Sequence, residues 1–118
     1  MKIIKKNMIK INTDEFKNLF SEKENKLINK NNENCILKFS ADWCQPCKML
    51  TPILEKISNE KNISVYEINV DNEYKLAEKF NIKSIPTIFF ISKTGNINSY
   101  IGSASETQIN NLILKYFV

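Results

Sequence analysis

Residues 35–48 read CILKFSADWCQPCK. Cys35 to Ala41 form a nearly continuous apolar run, the pattern of a strand covered on both faces. After Cys44 the period changes. Met49, Leu50, Ile53, Leu54 and Ile57 recur at three- and four-residue steps, which predicts an amphipathic helix. Pro46 fits the first turn, where its missing N–H breaks no bond, and Pro52 falls in the interior, which predicts a kink. Cys44 and Cys47 therefore stand at a strand-to-helix junction.

Outward from this junction, residues 8–11 (MIKI) are a short candidate strand. Thr13 reads as an N-cap, and Phe16, Leu19, Phe20, Leu27 and Ile28 supply a loosely helical apolar pattern. Lys30 to Asn34 is a polar turn. Residues 63–70 (ISVYEINV) alternate and are β-branched, as in a strand. Asp71 reads as the N-cap of a short helix reaching Phe80. Thr87 to Ile91 (TIFFI) is a buried strand, Lys93 to Asn96 a turn, and Ile97 to Ile101 the returning arm of a hairpin. Ser105 and Gln108 form a capping-box pattern ahead of a last helix that buries Ile109, Leu112, Ile113 and Phe117. The order β-α-β-α-β-α-β-β-α predicts one α/β domain with a central mixed sheet and helices on both faces.

The chain has 118 residues, enough for one domain. Its 2 Gly and 3 Pro exclude flexible or Pro-rich linkers. All 17 basic residues are Lys, they are mixed with 13 acids, and the net charge is +4. Without Arg there is no bidentate fork for phosphate or guanine, so nucleic-acid binding is not expected. The basic opening MKIIKKNMIKIN lacks the apolar core of a secretory signal, and no apolar run approaches the roughly 20 residues that span a bilayer. The expectation is a cytoplasmic protein with no membrane partner, whose thiols do chemistry and are not structural staples.

At the start of a helix, unpaired N–H groups and the helix dipole favour a thiolate. Cys44 should therefore titrate below the free-thiol value of about 8.5 and be the attacking species in disulfide exchange. Cys47, one turn along, is placed to attack the resulting mixed disulfide. The competing reading of C-x-x-C is half a zinc site, which needs four ligands. The chain has 0 His, and Cys35 is its only other thiol, so no metal is expected.

WCQPCK at 43–48, SIPT at 84–87 and the hairpin ending in Gly102 resemble the thioredoxin family, from about Met8 to Phe117, with residues 1–7 as a short N-terminal extension to a domain spanning 8–118. The resemblance implies the thioredoxin fold, a central mixed β-sheet flanked by four helices, and reduction of protein disulfides. It implies Cys44 as nucleophile, Cys47 as resolving thiol, and Pro86 as the family's cis-proline. Trp43, Gln45, Pro46, Ile85, Pro86, Gly102 and Ser103 then form the substrate-docking surface, with the Ile85 backbone pairing to an extended client segment. It further implies a monomer with no bound cofactor, an NADPH-dependent thioredoxin reductase as electron donor, and disulfide-containing client proteins as acceptors.

Three positions depart from the family. Gln45 stands where Gly is usual, and either tunes the reduction potential or points to solvent with little effect. Ser40 replaces a frequent aromatic residue, which should loosen packing under residues 41–43. Lys38 occupies the place of a buried aspartate that takes a proton from the resolving thiol, and the lysine that usually partners this aspartate is here Glu67. The charges are exchanged. A lone buried Lys38 would be hard to tolerate, whereas one paired with Glu67 is not. Glu67 then reads as the proton acceptor for Cys47, through a water, with Lys38 as counter-ion. Two other readings stand beside it: Lys38 lowers the Cys47 pKa directly, or Lys38 snorkels to the surface. Cys35 reads as a small core hydrophobe. Beside the reductase reading stand an oxidase or isomerase and a thioredoxin-like binding module, since fold alone does not guarantee activity.

Overall fold

The computed structural model describes residues 8–117; the expected extension at residues 1–7 lies outside them. The elements are β1 (Met8–Lys10), α1 (Thr13–Leu19), β2 (Phe20–Lys23), β3 (Lys26–Asn29), β4 (Cys35–Ser40), α2 (Gln45–Lys61), β5 (Ser64–Asn69), α3 (Tyr74–Lys79), β6 (Thr87–Ile91), β7 (Ile97–Ile101) and α4 (Glu106–Tyr116). Five strands form one sheet in the order β1-β5-β4-β6-β7. β1, β5 and β4 run parallel, β6 lies antiparallel to β4, and β7 lies antiparallel to β6.

β4 is the middle strand and all six of its residues are buried, which is why its sequence does not alternate. Its two faces belong to different cores. Cys35, Leu37 and Phe39 pack with Phe16 of α1 and with Leu76 and Ala77 of α3. Ile36 packs with Leu50, Leu54 and Ile57 of α2 and with Ile109 and Ile113 of α4. The sheet is thus covered by two helices on each face. Side chains alternate along a strand, so Lys38 shares the α2 face with Ile36.

Three local expectations are corrected. Helix α1 stops at Leu19, and residues 20–29 form the antiparallel β2–β3 hairpin where a longer helix was expected. Phe20 and Leu27 bury, but from strands. The N-cap of α1 is Asn12, not Thr13: its side chain accepts from Glu15 N while Glu15 accepts from Asn12 N. Thr13 instead donates its N–H and hydroxyl to Glu73. Asp71 does not cap α3, whose N-cap position is Glu73, with no side-chain capping bond. The Ser105–Gln108 capping box on α4 forms as expected, with Ile109 and Ile113 buried and Phe117 against the Phe90 ring.

Candidate active site

Cys44 is the N-cap of α2. Its Sγ accepts from the Cys47 N–H at 3.3 Å, and its own N–H donates to Ala41 O at 3.2 Å. Pro46 lies in the first turn, as its missing N–H allows. Cys44 and Cys47 are joined in a disulfide with Cα atoms 5.3 Å apart. Both are nearly covered, 4% and 2% exposed, and they pack with Ala41, Val70 and Ile85. Cys35 is fully buried and outside the disulfide. Among the described residues no cluster of three or more His, Cys, Asp or Glu side chains is arranged to hold a metal ion.

The Ile85–Pro86 bond is cis. Thr87 Oγ1 donates to Ser84 O at 2.6 Å, closing the turn. Pro86 O accepts from Gly102 N at 2.8 Å, which places the end of β7 beside the cis-proline. Gly102 has φ of +99°, and a Cβ there would meet nothing within 4 Å. Among the described residues neither the N–H nor the C=O of Ile85 makes a backbone hydrogen bond. Around these groups Trp43, Met49 and Ile101 are exposed, at 70%, 65% and 62%, and so are Gln45, Pro46 and Ser103. Met49 and Ser103 line one shallow cleft of about 230 Å³.

Beneath the disulfide, Lys38 and Glu67 sit opposite one another in the β4–β5 register and form an ion pair at 2.8 Å. Lys38 is fully buried; it does not snorkel. Its Nζ also donates to Cys47 O at 2.8 Å and to Thr51 Oγ1 at 2.7 Å. Glu67 is half-buried and borders two clefts. One, about 250 Å³, is also lined by Lys38, Cys47 and Thr51. The other, about 330 Å³, opens toward α1 and Glu73. Ser40, whose small side chain leaves room here, lines both.

The structure thus brings Cys44, Cys47, Ile85, Pro86 and Gly102 together at one end of the sheet, with Lys38 and Glu67 below. Three residues at the site were not singled out from sequence for this role. Asp71 accepts from Trp43 Nε1 at 2.9 Å, and no sequence spacing signals that bond. Met49 is exposed beside the site, although its helical spacing suggested core. Thr51 lies one helical turn after Cys47, on the same face of α2, and that spacing is a usable signal.

A disulfide two residues wide at a strand-to-helix junction, beside a cis X-Pro turn on a mixed sheet, defines a thiol–disulfide oxidoreductase. The thioredoxin family model matches residues 7–115. The chain is 38% identical over 84 residues to a thioredoxin of Borreliella burgdorferi, covering 70% of this chain and 72% of that protein. It is 35% identical over 82 residues to a thioredoxin of Chlamydia pneumoniae, covering 69% and 80%. Among solved structures, a single-substitution mutant of a thioredoxin from Halobacterium salinarum has the same fold, with a TM-score of 0.79 at 23% identity over 95% of this chain and 92% of that one. The chain belongs to the thioredoxin family, and Cys44–Cys47 is its C-x-x-C redox pair. It is a protein-disulfide reductase, and the family implies a reductase that supplies it and client proteins that it reduces. Among the described residues no helix is long and apolar enough to cross a membrane.

Proposed function

We infer that Cys44 is the attacking thiolate and Cys47 the resolving thiol. The observation that carries this is the capping geometry: the Cys44 sulfur takes the place of an N-cap oxygen and accepts from the Cys47 N–H. A sulfur held there is stabilised as an anion by the open end of the helix. Cys47 lies inside the first turn of the helix, bonded to the Cys44 sulfur, where it can attack a mixed disulfide formed at Cys44.

Trp43, Gln45, Pro46, Ile85, Gly102 and Ser103 form the docking surface with the buried Pro86 ring as its floor, and the exposure of Met49 adds it to this set. The unpaired backbone groups of Ile85 suit an extended client segment, and the open space at Gly102 lets that segment approach. The protein acts as a monomer in the cytoplasm. An NADPH-dependent thioredoxin reductase returns it to the dithiol state, and the electrons reside on its own sulfurs.

The reduction potential of the Cys44–Cys47 couple at neutral pH tests the direction of flow. A value near about −270 mV matches a general reductant. A value above about −200 mV would make it an oxidant or isomerase, and Gln45 the first residue to examine. Cys44→Ser should abolish insulin reduction, and Cys47→Ser should accumulate mixed disulfides through Cys44.

A further inference from the structure

We propose that Glu67 accepts the Cys47 thiol proton during resolution, across the cleft both residues line, with Lys38 and Thr51 as positioning residues. This role rests on Cys47 being the resolving thiol.

An ammonium has three hydrogens. Those of Lys38 are matched by three oxygens: Cys47 O, Thr51 Oγ1 and Glu67 Oε2, at 2.7–2.8 Å. None remains for the Cys47 sulfur. The positive charge is also offset by the carboxylate beside it, so the pair presents little net field to the thiol. Lys38 therefore ties the first turn of α2 to β4 and β5, and Thr51 completes the tie by donating to Cys47 O at 3.3 Å. Direct electrostatic activation of Cys47 by Lys38 is the weaker of the two readings.

The acceptor must be a carboxylate that shares space with Cys47. The charged groups lining that cleft are Lys10 of β1, Lys38 of β4, Asp42 before α2, Lys48 and Glu55 of α2, and Glu67 of β5. Asp42 and Glu55 are exposed, and Asp42 already accepts from Asn69 Nδ2. On the other side of Glu67 the further acids are Glu15 and Glu73, both occupied by bonds at α1. Glu73 is half-buried too but is held by Thr13, so Glu67 is the one half-buried acid here that pairs with the group fixing Cys47. Among the described residues no donor bonds its Oε1, which leaves that oxygen to water in the clefts. The second cleft gives the proton a way out, after which the ion pair with Lys38 is restored.

In the step itself, the Cys47 proton passes through water to the Glu67 carboxylate. The Cys47 thiolate attacks Cys44 Sγ of the mixed disulfide. The Cys44–Cys47 bond forms, and the bond from Cys44 to the client sulfur breaks. The client leaves as a thiolate carrying the electron pair and is protonated by solvent. The two cysteines are oxidised and the client disulfide is reduced, by two electrons.

The test mixes reduced protein with just under one equivalent of dithiobis-nitrobenzoate in a stopped-flow instrument. The first coloured thiolate released reports attack by Cys44, and the second reports resolution. Glu67→Gln should slow the second release by about ten- to a hundredfold at neutral pH and move its pH profile to higher pH, because the thiol must then ionise unaided. Glu67→Asp should recover most of the rate. A second release from Glu67→Gln with unchanged rate, or one slowed with an unmoved pH profile, overturns the role. Cys47→Ser separates this from the underlying reading: if it still gives a second release, Cys47 is not the resolving thiol. Should the stranded ammonium unfold Glu67→Gln, read as loss of its circular dichroism, Lys38→Met/Glu67→Gln removes both charges and is tested in the same way.

Discussion

The indole N–H of Trp43 donates to the Asp71 carboxylate at 2.9 Å, which anchors a ring that is otherwise 70% exposed to solvent. The bond joins the residue before the first redox cysteine to the loop after β5. A hydrogen bond to a charged acceptor is stronger than a neutral one, so it fixes the orientation of a large apolar face beside the disulfide.

Asp71→Ala should free this ring. Trp43 is the chain's only tryptophan, so fluorescence anisotropy reports it directly and should fall. The KM for a protein disulfide should rise about fivefold, equivalent to roughly 1 kcal/mol, while attack on a small aromatic disulfide stays close to the parent rate. An unchanged KM would remove the bond from client docking.

The two members of the buried ion pair should respond unequally to loss of a partner. Glu67→Ala leaves a fully buried ammonium facing only Cys47 O and Thr51 Oγ1, and should lower stability by about 3–5 kcal/mol. Lys38→Met leaves a carboxylate already bordering two clefts, and should lower it by about 1–2 kcal/mol. Urea titration of both variants checks this. Equal losses would mean that Lys38 reaches water.

Gly95 sits in the β6–β7 turn with φ of +92°, and a Cβ there would lie 2.5 Å from Ile28 Cδ1. Its carbonyl also accepts from Leu27 N at 3.1 Å. Gly95→Ala should therefore push the β2–β3 hairpin away from the sheet and destabilise the protein by about 2–3 kcal/mol. Hydrogen exchange at Leu27 should accelerate. A neutral effect would show that the hairpin yields freely.

Burial raises the pKa of the Tyr66 phenol, with lesser opposing hydrogen bonds from Ser64 and Asn31. The unfolded chain then loses its Tyr66 proton before the folded one. The stability linked to this group is complete below the unfolded value of about 10 and is lost as pH rises through the higher folded value. Tyr66→Phe should flatten the fall in stability above about pH 10. A slope equal to the parent's would assign alkaline unfolding to other groups.

The sheet and its outer helices were legible because their apolar periods are long and unbroken. The run 35–41 could only be a covered strand, and TIFFI with its turn and return could only be a hairpin. Lys38 and Glu67 were legible as partners because the family resemblance sets them at the places of its aspartate and lysine and a buried lysine needs an opposite charge; the structure then places them opposite one another in register. Residues 13–29 were not legible. They contain no Gly or Pro, and the chain turns at Glu24 with φ of 56°, a conformation its residue type does not advertise. The inward face of β3 is set by Leu27 and Asn29 and by contact with distant Gly95, so local spacing imitated a helix. The cap at Asn12 was missed because Asn12 and Thr13 both suit an N-cap, and the decisive Glu15 lies three residues from Asn12.

The register pairing of Lys38 with Glu67 also limits how this sequence can drift. Reversing the charge at either position alone would put two like charges 2.8 Å apart inside the protein. The two codons therefore behave as one heritable unit. A lineage moving between the two charge orders must pass through a form with at least one position neutral, and the burial of Lys38 makes position 38 the one to change first.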